Sequence, residues 1–239
     1  MSATALLVFA RCAGFAFRAP GFSHPSVPRP VRAGLALMLT IATLPAIRQV
    51  HSLDGVILIG AIVAELGIGA AIGFAASVLY DGAYAGGRAL DDYVGIRGSV
   101  PGAQLYAAAG FGRIWSLVFT AGFFLLGAYR IVILVLAQSF ERMSPGAIPP
   151  TPSLYAYAVG LPAAILQAAA LVAGPAIALA FVAQTTLGAL SRVIPRFTSF
   201  TLSFPVVFGV ALVATIACVP LLIFKSAVPY LPLPFLNLR

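Results

Sequence analysis

Residues 55–79 read GVILIGAIVAELGIGAAIGFAASVL, an apolar run interrupted by one acid, Glu65. A helix needs about 20 apolar residues to cross a bilayer, so this stretch is long enough to span a membrane. Further apolar runs, bounded by charges, prolines and glycines, lie at about 3–17, 33–47, 114–137, 155–183 and 204–224. The pattern predicts an all-α membrane protein with about six hydrophobic helices, arranged as helical hairpins in a single domain over 1–239. The first two runs are short for a span.

Composition excludes a soluble globular protein. Hydrophobic residues make up 61% of the chain and charged residues 8%, against roughly 25% charged residues in soluble domains. Lipid or partner subunits must therefore cover the surplus apolar surface, and no soluble domain is expected. The net charge of +8 comes from thinly spread basic residues. Anionic lipids explain this excess better than nucleic acid does.

Three charged residues within apolar runs are candidates for a special role. Glu65 is interpreted either as a proton or ion carrier, or as a side chain that hydrogen-bonds a neighbouring helix or subunit. It precedes Gly69 and Gly73, a GxxxG pattern that allows two helices to approach closely. We expect Arg11 and Arg130 to face a protein interior, a partner or a wet cavity, or to reach the membrane surface from near a helix end; a pore lining is the sharper alternative.

The sequence supports no catalytic activity, cofactor or metal site. His24 and His51 are the only histidines, and no metalloprotease, nucleotide-binding or nucleophile-elbow motif is present. We interpret Cys12 and Cys218 as small apolar side chains. Asp91 and Asp92 are adjacent in sequence, so on a helix their side chains would point about 100° apart and would not form an acid–base pair. We therefore expect both to be loop acids that are solvated or bound at an interface.

Prolines and glycines predict helix kinks and a long connection in the rest of the chain. Prolines within the fifth and sixth runs predict kinked helices. They are Pro162, Pro175, Pro205 and Pro220. The longest connection, about 80–113, is rich in glycine and small residues, and a loop of this length is usually functional or mobile. Its Gly-rich part lies at about 95–112.

Four fragments resemble the FliR/SctT family of flagellar and type III secretion export-gate proteins. The block at 26–36, SVPRPVRAGLA, is similar to the SVPxxVRxGLA pattern of the family. The ExxxGxxxGF helix of the family is matched by Glu65, Gly69, Gly73 and Phe74. Its loop proline, and the arginine that opens the next helix, are matched by Pro101 and Arg113. Its LGxxxRxxP segment followed by FP is matched by Leu187, Gly188, Arg192, Pro195, Phe204 and Pro205.

The resemblance implies a non-enzymatic subunit of an export gate in the bacterial inner membrane, multi-pass and partly on the periplasmic side once assembled. Implied partners are FliP/SctR-like and FliQ/SctS-like subunits, an FlhB/SctU-like switch protein and exported unfolded polypeptides. It also implies a channel plug at roughly 99–109. Candidate plug or gate residues are Ser99, Val100, Pro101, Gly102, Leu105, Tyr106 and Phe111. Candidate helix-packing or assembly residues are Glu65, Gly69, Gly73, Arg192, Pro195 and Pro205.

Alternatives remain for the branch of the family, injectisome or flagellar, and for the class of function. Residues 90–95, LDDYVG, are similar to the LDNQxG of injectisome members, which slightly favours that branch. Pro205 is not followed by the PxKS of many injectisome members, which favours the flagellar one. The alternative function is a small secondary transporter with Glu65 as carrier, although no inverted repeat accompanies it.

Overall fold

The computed structural model describes residues 3–23, 27–47, 55–95, 110–147, 151–193 and 200–226. Over these ranges the chain is helical and contains no strand, which confirms the all-α prediction. A short 3₁₀ turn, Leu44–Ala46, follows the second helix. The helices are α1 Ala3–Arg18, α2 Arg29–Thr43, α3 Gly55–Val94, α4 Phe111–Leu125, α5 Ala128–Arg142, α6 Thr151–Val193 and α7 Phe200–Ser226.

Two of the described helices have the length and composition to cross a membrane by themselves: α3 and the Val159–Val193 part of α6. Helices α4 and α5 meet the same criterion only when taken together, and Phe204–Cys218 of α7 is a shorter apolar helix. Apolar side chains on these helices are widely exposed, including Val56 and Leu125 at more than four-fifths. The chain is therefore a membrane protein.

Helix α3 is longer than the sequence predicts, and the predicted loop at 80–113 is wrong over residues 80–94. Glycines and charges after Leu79 are typical of a loop, which is why the sequence predicts one there. In the structure a Cβ at Gly82 would overlap Ala168, and one at Gly86 would overlap the backbone carbonyl oxygen of Ala169. These glycines permit close helix packing instead of ending the helix.

The apolar run at 114–137 forms two helices instead of the single one predicted. Helix α4 ends at Leu125 and α5 begins at Ala128. Gly127, between them, has φ +72°, a left-handed conformation that most side chains disfavour. The run is apolar on both sides of Gly127, so composition alone predicts one helix and gives no sign of the break at this glycine. By contrast, α6 runs continuously through Pro162 and Pro175.

The chain divides into two compact units, each with its own core. The described residues of the first unit come from Met1–Val78 and Gly122–Leu161. Its core joins α1, α2, the first part of α3, and α5. Buried core side chains include Val8, Cys12, Phe15, Ala36, Ile68, Ile72, Val132, Leu136 and Phe140. Cys12 is thus a small buried side chain, as predicted, whereas Cys218 is only half-buried.

The described residues of the second unit come from Leu79–Ala121 and Pro162–Val228. Its core joins the end of α3, the start of α4, α6 and α7. The buried side chains include Leu90, Val94, Phe111, Trp115, Val172, Ala176, Val207 and Ala211. Small residues dominate the α6 contribution, which lets backbones lie close together. The prediction of one membrane domain over 1–239 stays a prediction.

In the first unit α1 and α3 pack backbone to backbone through glycines on both helices. A Cβ at Gly69 would overlap the carbonyl oxygen of Arg11, and one at Gly14 would overlap that of Leu66. A Cβ at Gly73 would lie 2.9 Å from the carbonyl oxygen of Phe15. The GxxxG pattern therefore packs against α1 of the same chain. The helix that these two glycines approach thus belongs to the same chain.

We predict that Gly69→Ala destabilises the protein while Gly67→Ala does not. The added methyl group at Gly69 meets backbone that cannot move cheaply, so we expect a loss of about 1–3 kcal/mol in unfolding free energy. Gly67 lies on the same helix with nothing within 4 Å of an added Cβ, and the helix preference for alanine makes that variant neutral or slightly stabilising. Denaturant unfolding in detergent measures both. Equal stability of the two variants would contradict the close packing.

Candidate functional site

A buried ion pair joins α1 to α3 in the first unit. Nε of Arg11 donates to Oε2 of Glu65 at 2.5 Å, and Nη2 donates to Oε1 at 3.0 Å. Both residues have no exposed surface. Two parallel hydrogen bonds between a guanidinium and a carboxylate give a strong and directional contact. The pair therefore fixes the register of α1 against α3.

The remaining donors of Arg11 reach the end of α5. Nη1 donates to the carbonyl oxygen of Ser139 at 2.9 Å and to its hydroxyl at 3.2 Å, and Nη2 donates to the carbonyl oxygen of Met143 at 3.1 Å. The guanidinium carbon lies 4.4 Å from the centre of the Phe140 ring. The cation thus satisfies carbonyls at a helix C-terminus, where positive charge is favoured.

Glu65 also holds the turn that follows α5. Its Oε1 accepts a hydrogen bond from the backbone N–H of Gly146 at 2.8 Å. With five donated hydrogen bonds from Arg11 and this one to Glu65, the buried charges are well satisfied, as buried charges must be. The geometry favours the structural interpretation of Glu65 over the carrier interpretation. The sequence predicts a role for Arg11 and for Glu65 but not their pairing, since 54 positions separate them.

A second buried acid lies in the second unit, and the prediction of a loop acid is wrong for Asp91. It belongs to α3 and is 3% exposed, whereas the adjacent Asp92 is exposed. Oδ1 of Asp91 accepts a hydrogen bond from the N–H of Phe111 at 2.7 Å, and Oδ2 accepts one from the N–H of Gly112 at 3.1 Å. Asp91 therefore caps the first turn of α4 from a different helix.

Most of the predicted plug lies outside the described residues. This holds for Ser99, Val100, Pro101, Gly102, Leu105 and Tyr106, and also for the assembly candidate Pro195. Phe111 is described and fully buried, and its ring centre lies 5.3 Å from that of Phe208. The structure thus places Phe111 in the core at the start of α4.

The other candidates lie on the surface. Arg192 is exposed in the last turn of α6. Pro205 lines an apolar groove with Leu179 and Val213. Arg130 is exposed in the first turn of α5, and its Nε donates to the hydroxyl of Tyr129. In the part of the chain that the structure describes, no group of three or more His, Cys, Asp and Glu residues is placed to hold a metal ion.

Comparison with known proteins settles the family. The model of the family described as "Bacterial export proteins, family 1" matches residues 2–227, nearly the whole chain. The chain belongs to this family. This is the FliR/SctT family that the sequence fragments resemble, so that prediction is confirmed. No curated protein matches the chain.

Family membership gives the general function. This export protein is a component of the type III or flagellar export apparatus, and it works together with other components of that apparatus. The family is a structural part of the machinery. In this export component the Arg11–Glu65 network and the Asp91 cap hold helices of the same chain together.

We predict that Glu65→Gln destabilises the export protein by about 3 kcal/mol or more. The change leaves the buried guanidinium of Arg11 without its counter-ion, and removing one partner of a buried pair is strongly unfavourable. Glu141→Gln is the matched control because Glu141 is exposed at the end of α5; we expect a change within about 0.5 kcal/mol. Denaturant unfolding in detergent provides the measurement. A Glu65→Gln variant as stable as the control would contradict the buried pair.

Proposed function

We propose that this chain is a core structural and channel subunit of the type III export gate in the bacterial inner membrane. In this role it helps form and close the pore through which unfolded polypeptides are secreted. The observation that carries the proposal is the family match over residues 2–227. The energy for export comes from other components, and the buried acids of this chain hold its helices together.

The proposed partners are FliP/SctR-like and FliQ/SctS-like subunits, together with an FlhB/SctU-like switch protein. Helix α2 supports such contacts. It has 15 residues, so it is about 22 Å long and too short to cross a hydrocarbon core of about 30 Å. Even so, it exposes Leu37, Met38 and Ile41. Helices of partner subunits are better suited than lipid to cover so short an apolar face, which fits a gate lying partly on the periplasmic side.

The proposed plug is the segment at 99–109, between α3 and α4. Val100, Leu105 and Tyr106 are apolar or aromatic side chains suited to filling a narrow pore against ions, and Gly102 gives the backbone freedom to rearrange. Phe111 is where this segment meets the core of the second unit. The described residues on either side of it are Gly95, after α3, and Gly110, before α4.

Of the two branches of the family, we favour the injectisome. The reason is the LDDYVG block at 90–95. Its Leu90 is buried in the core and its Asp91 caps α4, so two positions of this block have structural roles that a branch-specific motif would preserve. Secretion assays in the source bacterium, run separately for flagellar and injectisome substrates, distinguish the branches.

We predict that a strain lacking this gene loses type III secretion, and that a copy lacking residues 99–109 restores secretion while leaking small ions. Removing the plug opens the pore to ions but leaves the helices that build it. Secretion is measured by substrate in the culture medium, and leakage by dissipation of the membrane potential.

The wild-type copy is the control and restores secretion without leakage. If deletion of the gene leaves both flagellar and injectisome secretion intact, the proposed function is wrong. If the copy lacking 99–109 has the ion permeability of the wild type, the plug assignment alone is wrong.

A further inference from the structure

A row of polar side chains runs along one side of α3 in the second unit. Tyr80, Tyr84, Arg88 and Asp92 recur at every fourth position, a spacing that places neighbours one above another on a helix. Asp92 is exposed and the other three are half-buried, so this polar row lies on the surface of the unit. At 1.5 Å per residue the row is about 18 Å long.

The middle of the polar row is held in place by contacts within the second unit. Nη1 of Arg88 donates to the hydroxyl of Tyr84 at 3.2 Å, and the guanidinium carbon lies 5.7 Å from the centre of the Tyr84 ring. A Cβ at Gly112 would lie 3.0 Å from Cγ of Arg88, so the aliphatic part of this side chain packs beside the start of α4. The row is therefore an ordered polar surface.

The opposite side of α3 packs against α6. A Cβ at Gly82 would overlap Ala168, and one at Gly86 would overlap the carbonyl oxygen of Ala169. With 3.6 residues per turn, these two glycines lie about 160° around the helix from Tyr84 and Arg88. The polar row therefore faces away from α6.

The second unit has two different sides at the same level. Tyr84 lies between the two glycines that contact α6, so it is level with the apolar span of that helix. There α6 exposes Leu166 and Leu171, at 69% and 47%. Gln167 is the only polar side chain in residues 159–183. At one depth the unit is thus apolar on its α6 side and polar on its α3 side.

This asymmetry indicates what covers the polar row. Polar and charged side chains of membrane helices face a protein interior or a water-filled cavity, because hydrocarbon is strongly unfavourable for them. The row is not in the interior of its own unit, since its side chains are half-buried or exposed. Lipid suits the leucines of α6 and does not suit a guanidinium and a carboxylate.

We propose that the polar row borders the water-filled path of export and offers hydrogen bonds to the polypeptide that passes. This inference rests on the proposed function and assigns one face of α3 to the pore. The row presents two hydroxyls, one cation and one anion, so it has donors and acceptors without a net charge. Such a surface binds peptide groups and side chains of either sign weakly, as a conduit must in order to release what enters it.

The test measures how fast a charged, membrane-impermeant methanethiosulfonate reagent labels single cysteines in the full chain, assembled with its partner subunits in the membrane. Tyr84→Cys reports on the polar row, and Leu166→Cys is the matched control because Leu166 is exposed at the same level on α6. Both variants also carry Cys218→Ala, whereas Cys12 is buried and stays. We expect Tyr84→Cys to be labelled roughly tenfold or more faster, because the reagent attacks the thiolate, which apolar surroundings disfavour.

A second pair of variants repeats the comparison one helical turn further along α3. Arg88→Cys reports on the polar row and Leu171→Cys on the exposed side of α6. This pair decides the question if Tyr84→Cys fails to accumulate. An export substrate fused to a folded domain that cannot pass then stalls in the path. We expect the stalled substrate to lower the labelling rate severalfold at the row and to leave the α6 positions unchanged.

The outcomes separate this inference from the proposed function. If the row cysteines are labelled as slowly as the α6 cysteines, a partner subunit covers the row and the inference is overturned. It is also overturned if both sides are labelled equally fast, or if a stalled substrate leaves labelling of the row unchanged, since the water at the row is then not that of the export path. If secretion persists without the gene, the proposed function itself is wrong.

Discussion

The ion pair between Arg11 and Glu65 is the contact on which the first unit depends. Burying two charges among apolar helices is unfavourable unless both are paired and hydrogen-bonded. Here the guanidinium reaches α3 and the end of α5 at the same time, and the carboxylate adds the turn at Gly146. Three separate parts of the chain must therefore meet at one point for either charge to be tolerated. This requirement selects one packing of α1, α3 and α5 from the many that apolar surfaces alone would allow.

Glycines allow α1 and α3 to approach closely enough for this ion pair. The second unit likewise combines a buried acid with glycines at a close approach of two helices. Gly69 lets the backbone of α3 approach Arg11 itself, so a larger residue there would move α1 away from Glu65. At the other end of α3, Gly87 and Gly110 allow Asp91 to reach the start of α4. In each unit an acid on α3 is buried and accepts a hydrogen bond from at least one backbone N–H group, and glycines allow the helices nearby to approach closely. Helix α3 thus carries both of these buried acids, Glu65 in the first unit and Asp91 in the second.

The sequence predicted the helical class and the family because apolar runs and short ordered motifs are local signals. It did not predict the pairing of Arg11 with Glu65, since 54 positions separate them and each has several acceptable environments. The sequence pattern also predicts the end of α3 at Leu79, because glycine and aspartate are typical of loops. The spacing of Gly82 and Gly86 repeats that of Gly69 and Gly73, and this repeat was the available sign that the helix continues. The burial of Phe111 depends on Phe208 of α7 and has no local signal.

The most direct test of this account is a double-mutant cycle on Arg11 and Glu65, with unfolding free energy measured in detergent for Arg11→Met, Glu65→Leu and the variant carrying both changes. Each single change leaves one buried charge without its partner, and the double change removes both charges. The account predicts that the loss in the double variant is smaller than the sum of the single losses by about 1 kcal/mol or more. Losses that add to within about 0.5 kcal/mol would mean that the two residues act independently, and would contradict it.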